Sequence, residues 1–321
     1  MRKALLIYNP VAGRYPSRLL TERAAAVLQK MDWQVEIETT SDGEHITRLS
    51  QQAVKEGFDA LFVVGGDGSV NRALPGLIGS RTALGVLPAG TANVWAQELG
   101  LPGLTWTRLM ALEESADRQV DPQVVEVDVG LCNGIPFLLW AGVGLDGFIV
   151  HRIEPRKPWE KHFANLPYAA KAVFNAANYH GIELKVVTGE EVVSGQFMLA
   201  VASNVRLYAG GLAKLSPNAK LDDGVMDLWL FEGKSLEDIV QQAWNLWSGR
   251  HTLSERVRGL RFRKASFESE APMYVQIDGE PENGGTSMTI EVVPHALRIL
   301  VPRNTQSELF QASPRRFTEP I

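Results

Sequence analysis

A single cysteine, Cys132, stands among 321 residues. It excludes a disulfide within the chain and fits a reducing compartment. No apolar run approaches the ~20 residues that a membrane-spanning helix needs. Arg2 and Lys3 precede the apolar run Ala4–Tyr8, which is too short for the core of a secretory signal and stops at Asn9-Pro10. The formal charge of -5 gives no bulk basic field, so nucleic acid is not an expected partner. His45, His151, His162, His180, His251 and His295 show no zinc spacing. No repeat of solenoid period and no low-complexity tract is present.

What is present is ordinary in composition and unusual in pattern. Hydrophobic residues make up 45% and charged residues 21%, values of a globular protein in water. At 321 residues the chain is long for one core, so two domains are expected. The first part alternates short apolar runs, at 3–8, 33–38, 59–64 and 83–87, with helical patterns at 17–31, 44–56, 70–79, 92–99 and 104–115. That alternation predicts an α/β domain with a parallel sheet, whose ligands bind at the carboxyl ends of the strands. From about Val124 strand-like runs dominate, at 124–130, 135–141, 182–188, 195–203, 225–231, 256–262, 273–277, 288–293 and 297–301. They predict an antiparallel, β-rich second domain, interrupted by helices near 159–179 and 235–249. The expected division is 1–123, 124–302 and a loose polar tail, 303–321.

The most informative stretch runs from Ala60 to Pro102. It reads as two strand–glycine loop–helix units in succession. The first loop is Gly65-Gly66-Asp67-Gly68, with Ser69 as a candidate helix cap, and the second is Pro88-Ala89-Gly90-Thr91. Residues 65–69 match neither the Rossmann nor the Walker nucleotide signature. Glycines let the backbone approach a ligand or adopt positive φ, and a helix N-terminus favours an anion. Asp67 in the middle of such a loop does not bind phosphate itself. It binds a metal, a hydroxyl or a proton, so the combination points to phosphoryl transfer. A capped glycine turn with a solvated Asp is the plain alternative.

The ordered blocks GGDGSVN (65–71) and PAGTANVWAQELGLP (88–102) resemble the catalytic region of diacylglycerol-kinase-type lipid kinases. That group includes soluble bacterial diacylglycerol kinases and sphingosine kinases and is related to NAD kinases and phosphofructokinases. YNPVAG (8–13), VEVDVG (125–130), AGVGLDG (141–147), SNVRLYAGG (203–211), SPNAKLDDGVMD (216–227) and QIDGEP (276–281) resemble further blocks in the family's order. One departure is Val94, where the bacterial enzymes usually carry Asp after the Asn.

The resemblance implies a NAD kinase/phosphofructokinase-like first domain and a second domain whose last strand returns to the first. ATP and lipid would lie between the two. It assigns nucleotide binding to Asn9, Pro10, Gly13, Arg14, Thr40, Gly65, Gly66, Asp67, Gly68, Ser69, Asn71, Gly90, Thr91 and Asn93. It implies a structural Mg²⁺ held by the Asp223 carboxylate and the carbonyls of Lys220 and Val225. An Asp-Gly turn is the alternative there. Asp278 and Glu280 are implied catalytic residues, with Glu280 the base in the bacterial enzymes and Asp67 given that role in sphingosine and NAD kinases. Asp128 and Lys171 match positions of a charge network. A solvated charge reads Lys171 equally well, while a buried Asp128 needs partners. Trp244 and Trp247, at i and i+3 on a helix, read as core, with a membrane role as the lesser alternative.

The expected protein is therefore a cytoplasmic lipid kinase that uses ATP and Mg²⁺, visits the membrane surface and phosphorylates a lipid hydroxyl, foremost that of diacylglycerol. A sphingoid or other lipid alcohol, a soluble acceptor such as NAD, and a non-catalytic nucleotide-binding regulator are the rivals. A homodimer is left open.

Overall fold

The computed structural model of the chain describes residues 1–10, 17–105, 107–153, 179–189 and 191–317. Nearly all of the helix expected at 159–179 lies outside the described residues. The chain divides into two units. Unit 1 comprises residues 1–129, 220–224 and 293–321, and unit 2 comprises 130–219 and 225–292. A single boundary at Val124 therefore misses a short excursion, Lys220–Gly224, back into unit 1.

In unit 1, strands β1 (Arg2–Tyr8), β2 (Trp33–Thr39), β3 (Ala60–Gly65) and β4 (Ala83–Pro88) form a parallel sheet in the order β2-β1-β3-β4. The inner strands are near-continuous apolar runs because both of their faces are covered. Covering helices are α1 (Ser17–Gln29), α2 (Gly43–Lys55), α3 (Asp67–Leu77), α4 (Val94–Glu98) and α5 (Ala111–Asp117). α2 starts where the Asp42 carboxylate accepts the His45 N–H at 2.8 Å, an N-cap of the expected chemistry. α5 starts seven residues later than the pattern at 104–115 predicts. The residues before it form a turn instead, with a bridge between Thr105 and Arg108.

The later elements are β5 (Gln123–Cys132), β6 (Ile135–Phe137), β7 (Trp140–Gly144), α6 (Leu145–Ile153), β8 (Ile182–Thr188), β9 (Glu191–Ser203), β10 (Leu207–Tyr208), β11 (Ala213–Lys214) and β12 (Met226–Glu232). They continue with α7 (Leu236–Trp247), β13 (Val257–Phe262), β14 (Lys264–Glu268), β15 (Tyr274–Ile277), β16 (Glu280–Asn283), β17 (Ser287–Val301) and β18 (Arg315–Arg316). Unit 2 pairs antiparallel throughout: β16-β15-β7-β9-β8-β14 and the first half of β17, with β12 joining β9 to β13. Its core gathers Phe137, Phe197, Leu228, Leu230, Phe267 and Ile290. Cys132 is buried there, and burial pushes its thiol up to about 12, so it is chemically quiet.

β17 is one strand where the sequence reads two. Pro294 and His295, the latter at φ +51°, look like a break, yet pairing continues on both sides. Its beginning pairs with β14 in unit 2, and Ile299 pairs in parallel with Leu84 of β4 in unit 1. The tail after it packs against the rest of unit 1 through Phe317. Leu309 and Phe310 are buried, β18 pairs with Gln123 and Val124, and Phe317 packs 5.7 Å from Trp33. The apolar Leu309, Phe310 and Phe317, spaced among polar residues, supply this packing.

Candidate active site

All four parallel strands of unit 1 end at the same edge, so the residues that follow them meet there: Asn9 and Pro10 after β1, Thr40 after β2, Gly66–Ser69 after β3 and Ala89–Asn93 after β4. Gly13 and Arg14 lie outside the described residues, as does Lys171. Thr40 is buried, and its hydroxyl finds no hydrogen-bond partner among the described residues. A buried hydroxyl left without a partner is costly unless a ligand or water satisfies it.

The two glycine loops lie against each other. The Ala89 N–H donates to the Gly65 carbonyl at 3.0 Å. A Cβ placed on Gly90 would come within 2.5 Å of the Gly66 Cα. These two glycines are required by contact, not by conformation, since neither is among the residues at positive φ. The loop after β4 is closed by Asn93. Its side chain accepts the Gly90 N–H at 2.9 Å and donates to the Gly90 carbonyl at 2.8 Å, with the Asn93 backbone at φ +54°. Asn tolerates that conformation better than most residues.

Asp67 joins the loops. Its carboxylate accepts the N–H groups of Val94 at 2.9 Å and Trp95 at 3.0 Å. The anion at the start of α4 is thus the protein's own side chain. Burial pushes the Asp67 carboxyl up, while the amide bonds act in the opposite direction. Val94 contributes through its backbone, and its side chain is buried, so replacing the usual Asp leaves this link intact. α3 begins at Asp67, with Gly66 as an N-cap that makes no side-chain bond. Ser69 is consequently inside the first turn, not at the cap. Asn71 is on the same helix, and Thr91 is exposed on the second loop.

In unit 2 the Asp278-Gly279 turn joins β15 to β16. Both residues are at positive φ, +48° and +85°, the requirement of a tight two-residue hairpin. The Asp278 carboxylate accepts three backbone N–H groups, from Leu138 at 2.9 Å and from Leu139 and Trp140 at 3.0 Å. Both of its oxygens accept from the backbone, so the carboxylate ties the turn to residues 138–140. Glu280, two residues on, is exposed.

A cluster that sequence reading left without a role supports this turn. Asp146, in the AGVGLDG block, accepts from the Tyr208 hydroxyl at 3.0 Å and from the Gln276 amide at 2.9 Å. The Gln276 side-chain oxygen, Oε1, accepts the Gly279 N–H at 2.8 Å. Burial raises Asp146 to about 6 against these hydrogen bonds. A polar residue inside the β15 run was the available signal.

Asp128 is fully buried and serves the Lys220–Gly224 excursion. It accepts from Gly224 N–H at 2.6 Å and His295 N–H at 2.9 Å, and its own N–H donates to the Leu221 carbonyl at 2.7 Å. Asp222 accepts from Gln311 and Ala312 N–H, at 2.5 and 2.8 Å. Gly224 is at φ +74°. Asp128 thus anchors this turn, and it couples electrostatically to Asp223 and His295.

A parallel sheet with paired glycine loops at its carboxyl edge, followed by an antiparallel β unit, defines a kinase-like architecture. The sequence profile of the diacylglycerol kinase catalytic domain matches residues 3–130, and that of the YegS C-terminal NAD kinase beta sandwich-like domain matches residues 141–301. The chain belongs to the diacylglycerol-kinase and YegS-like family of lipid kinases. It is 29% identical over 308 residues to the diacylglycerol kinase of Mycobacterium tuberculosis, covering 94% of this chain and 96% of that one. It is 25% identical over 285 residues to the diacylglycerol kinase of Bacillus subtilis, covering 87% and 90%. A crystal structure of a diacylglycerol kinase from Bacillus anthracis superposes with a TM-score of 0.74 at 25% identity, covering 94% and 97%. The protein is accordingly a lipid kinase, and membership implies ATP as the phosphoryl donor. Among the described residues no helix is long and apolar enough to cross a membrane.

Proposed function

We propose that the chain transfers the γ-phosphoryl group of ATP to the hydroxyl of diacylglycerol, with Mg²⁺. The observation that carries this reading is the Gly66–Gly90 contact locked by Asp67. It packs the two loops backbone to backbone at the strand ends, beside a Thr40 hydroxyl that has no partner among the described residues. Those features fit a nucleotide. Asn9, Pro10, Gly65–Ser69, Asn71, Gly90, Thr91 and Asn93 would hold it, together with Gly13 and Arg14.

The turn at 220–225 fits a hard divalent ion in donor chemistry, through the Asp223 carboxylate and the carbonyls of Lys220 and Val225. Asp222 and Asp128 are engaged with backbone amides there, which makes them supports of the turn. A metal at that turn would supply rigidity, and a divalent ion arriving with ATP would neutralise charge developing on the phosphates.

Glu280 is the proposed proton acceptor. As the lipid oxygen bonds to the γ-phosphorus and the bond to the ADP oxygen breaks, the hydroxyl proton passes to the Glu280 carboxylate. Asp67, with its oxygens on two amides, fixes the loops. The test is incubation of pure protein with labelled ATP, Mg²⁺ and, separately, diacylglycerol, a sphingoid base, a mixed lipid extract and NAD. Labelled phosphatidic acid from diacylglycerol is expected. Label in the sphingoid or NAD product alone reassigns the acceptor, and no transfer to any of them refutes the catalytic reading.

A further inference from the structure

The second unit carries a helix with a large apolar stripe on its exposed side. α7 starts with a capping box, in which Ser235 and Asp238 bond reciprocally, and the Asp238 carboxylate is held by Arg256 at 2.6 Å. Its inward side carries Gln242, the buried residue, which reaches the Glu232 carbonyl at 3.4 Å, with half-buried Ile239, Asn245 and Leu246 around it. Its outward side is apolar. Leu236, Val240, Trp244 and Trp247 are 45%, 61%, 57% and 66% exposed. At 3.6 residues per turn these positions fall within roughly a quarter of the helix circumference and run about 16 Å along it. The two indole rings lie against each other, 5.2 Å apart. Leu253, just past the helix, is 85% exposed. The reading of Trp244 and Trp247 as core residues is therefore wrong, because periodicity locates a face without saying which side of the helix is covered.

The turn that follows the helix is fixed by His251, buried between Trp229 and Phe231, whose Nε2 bonds the Leu215 carbonyl at 2.8 Å. Exposed cations, Lys234 and Arg250, stand at the two ends of the helix.

We infer that this face of α7 seats the enzyme on a lipid bilayer, with Trp244 and Trp247 entering the headgroup boundary. The inference rests on the lipid-acceptor reading above, since a long-chain acceptor stays in its bilayer and the enzyme must come to it. Adjacent tryptophans on an aliphatic stripe, with cations at its ends, suit an interface bearing anionic headgroups. A second copy of the chain is the competing occupant, and the test below separates the two.

The test compares the parent with the double variant Trp244→Ser, Trp247→Ser. Each is floated with vesicles of phosphatidylcholine and phosphatidylglycerol and assayed on two diacylglycerols, one short-chain and water-soluble, one long-chain in those vesicles. Melting temperature and sedimentation confirm that the variant folds. The parent is expected to float, with its tryptophan emission quenched by brominated acyl chains. The variant should lose vesicle binding by about tenfold or more. Transfer to the soluble acceptor should be unchanged and transfer to the vesicle acceptor should fall. Equal flotation of both proteins, or a parent that does not float, overturns the inference. So does a parent dimer that the variant converts to monomer with vesicle binding intact. Absence of transfer to the soluble acceptor by either protein counts against the diacylglycerol reading instead, and leaves flotation to judge the membrane face.

Discussion

The glycine loops of unit 1 and the hairpin turn of unit 2 each contain an Asp followed by Gly, and each Asp does the same thing. Asp67 accepts two amides at the start of α4, and Asp278 accepts three amides of residues 138–140. They differ in what stands beside the Asp. In the loops it is a pair of glycines in backbone contact, Gly66 and Gly90, which leaves no room for a side chain at that contact. In the hairpin it is an exposed carboxylate, Glu280. In both places the Asp carboxylate is tied to backbone amides. The proposed chemistry then falls to its neighbours, the nucleotide edge in one region and Glu280 in the other.

The comparison is broken most directly at Glu280. Glu280→Gln should lower turnover ~10²–10⁴-fold while leaving ATP affinity, by calorimetry, and melting temperature at parental values. Loss of ATP binding in step with turnover, or full turnover, would make Asp67 the leading base. Asp278→Ala should instead register as instability. Three amide donors lose their acceptor, at ~1–3 kcal/mol for each that stays buried, so a drop of several kcal/mol in urea unfolding is expected. An unchanged unfolding curve would mean that the turn does not depend on Asp278.

Asp67→Ala should abolish transfer without unfolding the protein, and should weaken ATP binding along with it. Two amides at one loop lose a charged acceptor, an effect on the order of 10–10²-fold in affinity. Parental turnover in the folded variant would remove the loops from the site.

The supporting cluster offers a pH test of smaller size. Asp146 is raised to about 6, so between about pH 4 and 6 the folded chain holds a proton that the unfolded chain has released. Its contribution is complete below the unfolded value and is lost as pH rises through the folded one. Stability should therefore fall across that window in the parent, and the fall should flatten in Asp146→Asn, as read by melting temperature against pH. The smallest effect is expected at the turn of residues 220–225. Chelation should lower the melting temperature of the parent and barely move Asp223→Ala, because a metal bound to the native state alone stabilises by linkage. Equal responses would eliminate the metal.

Much of this arrangement was legible in the sequence where the causes are local. The loops 65–69 and 88–93 announce themselves because strand, glycine and helix are adjacent in the chain. What the chain could not show is what closes on them from afar. Asp278 meets residues 138–140 across some 140 positions, and Asp128 meets Gly224 across 96. Neither set of amide partners can be read from the local sequence around the two acids. Ser69 misled as a cap because Gly66 starts the helix three residues earlier without needing a side chain. Pro294-His295 misled as the end of a strand because it marks where β17 passes from unit 2 to unit 1 while its pairing goes on.

That passage has a consequence for how the protein is made. Unit 1 has Leu300 in its core and Ile299 beside β4, so its first 129 residues leave the ribosome without the strand that completes them. At ~5–20 residues per second, the missing piece follows on the order of 10–40 s later. During that interval the edge of β4 lies bare in the nascent chain, a surface for chaperones to cover, and the unit named first by the gene finishes last.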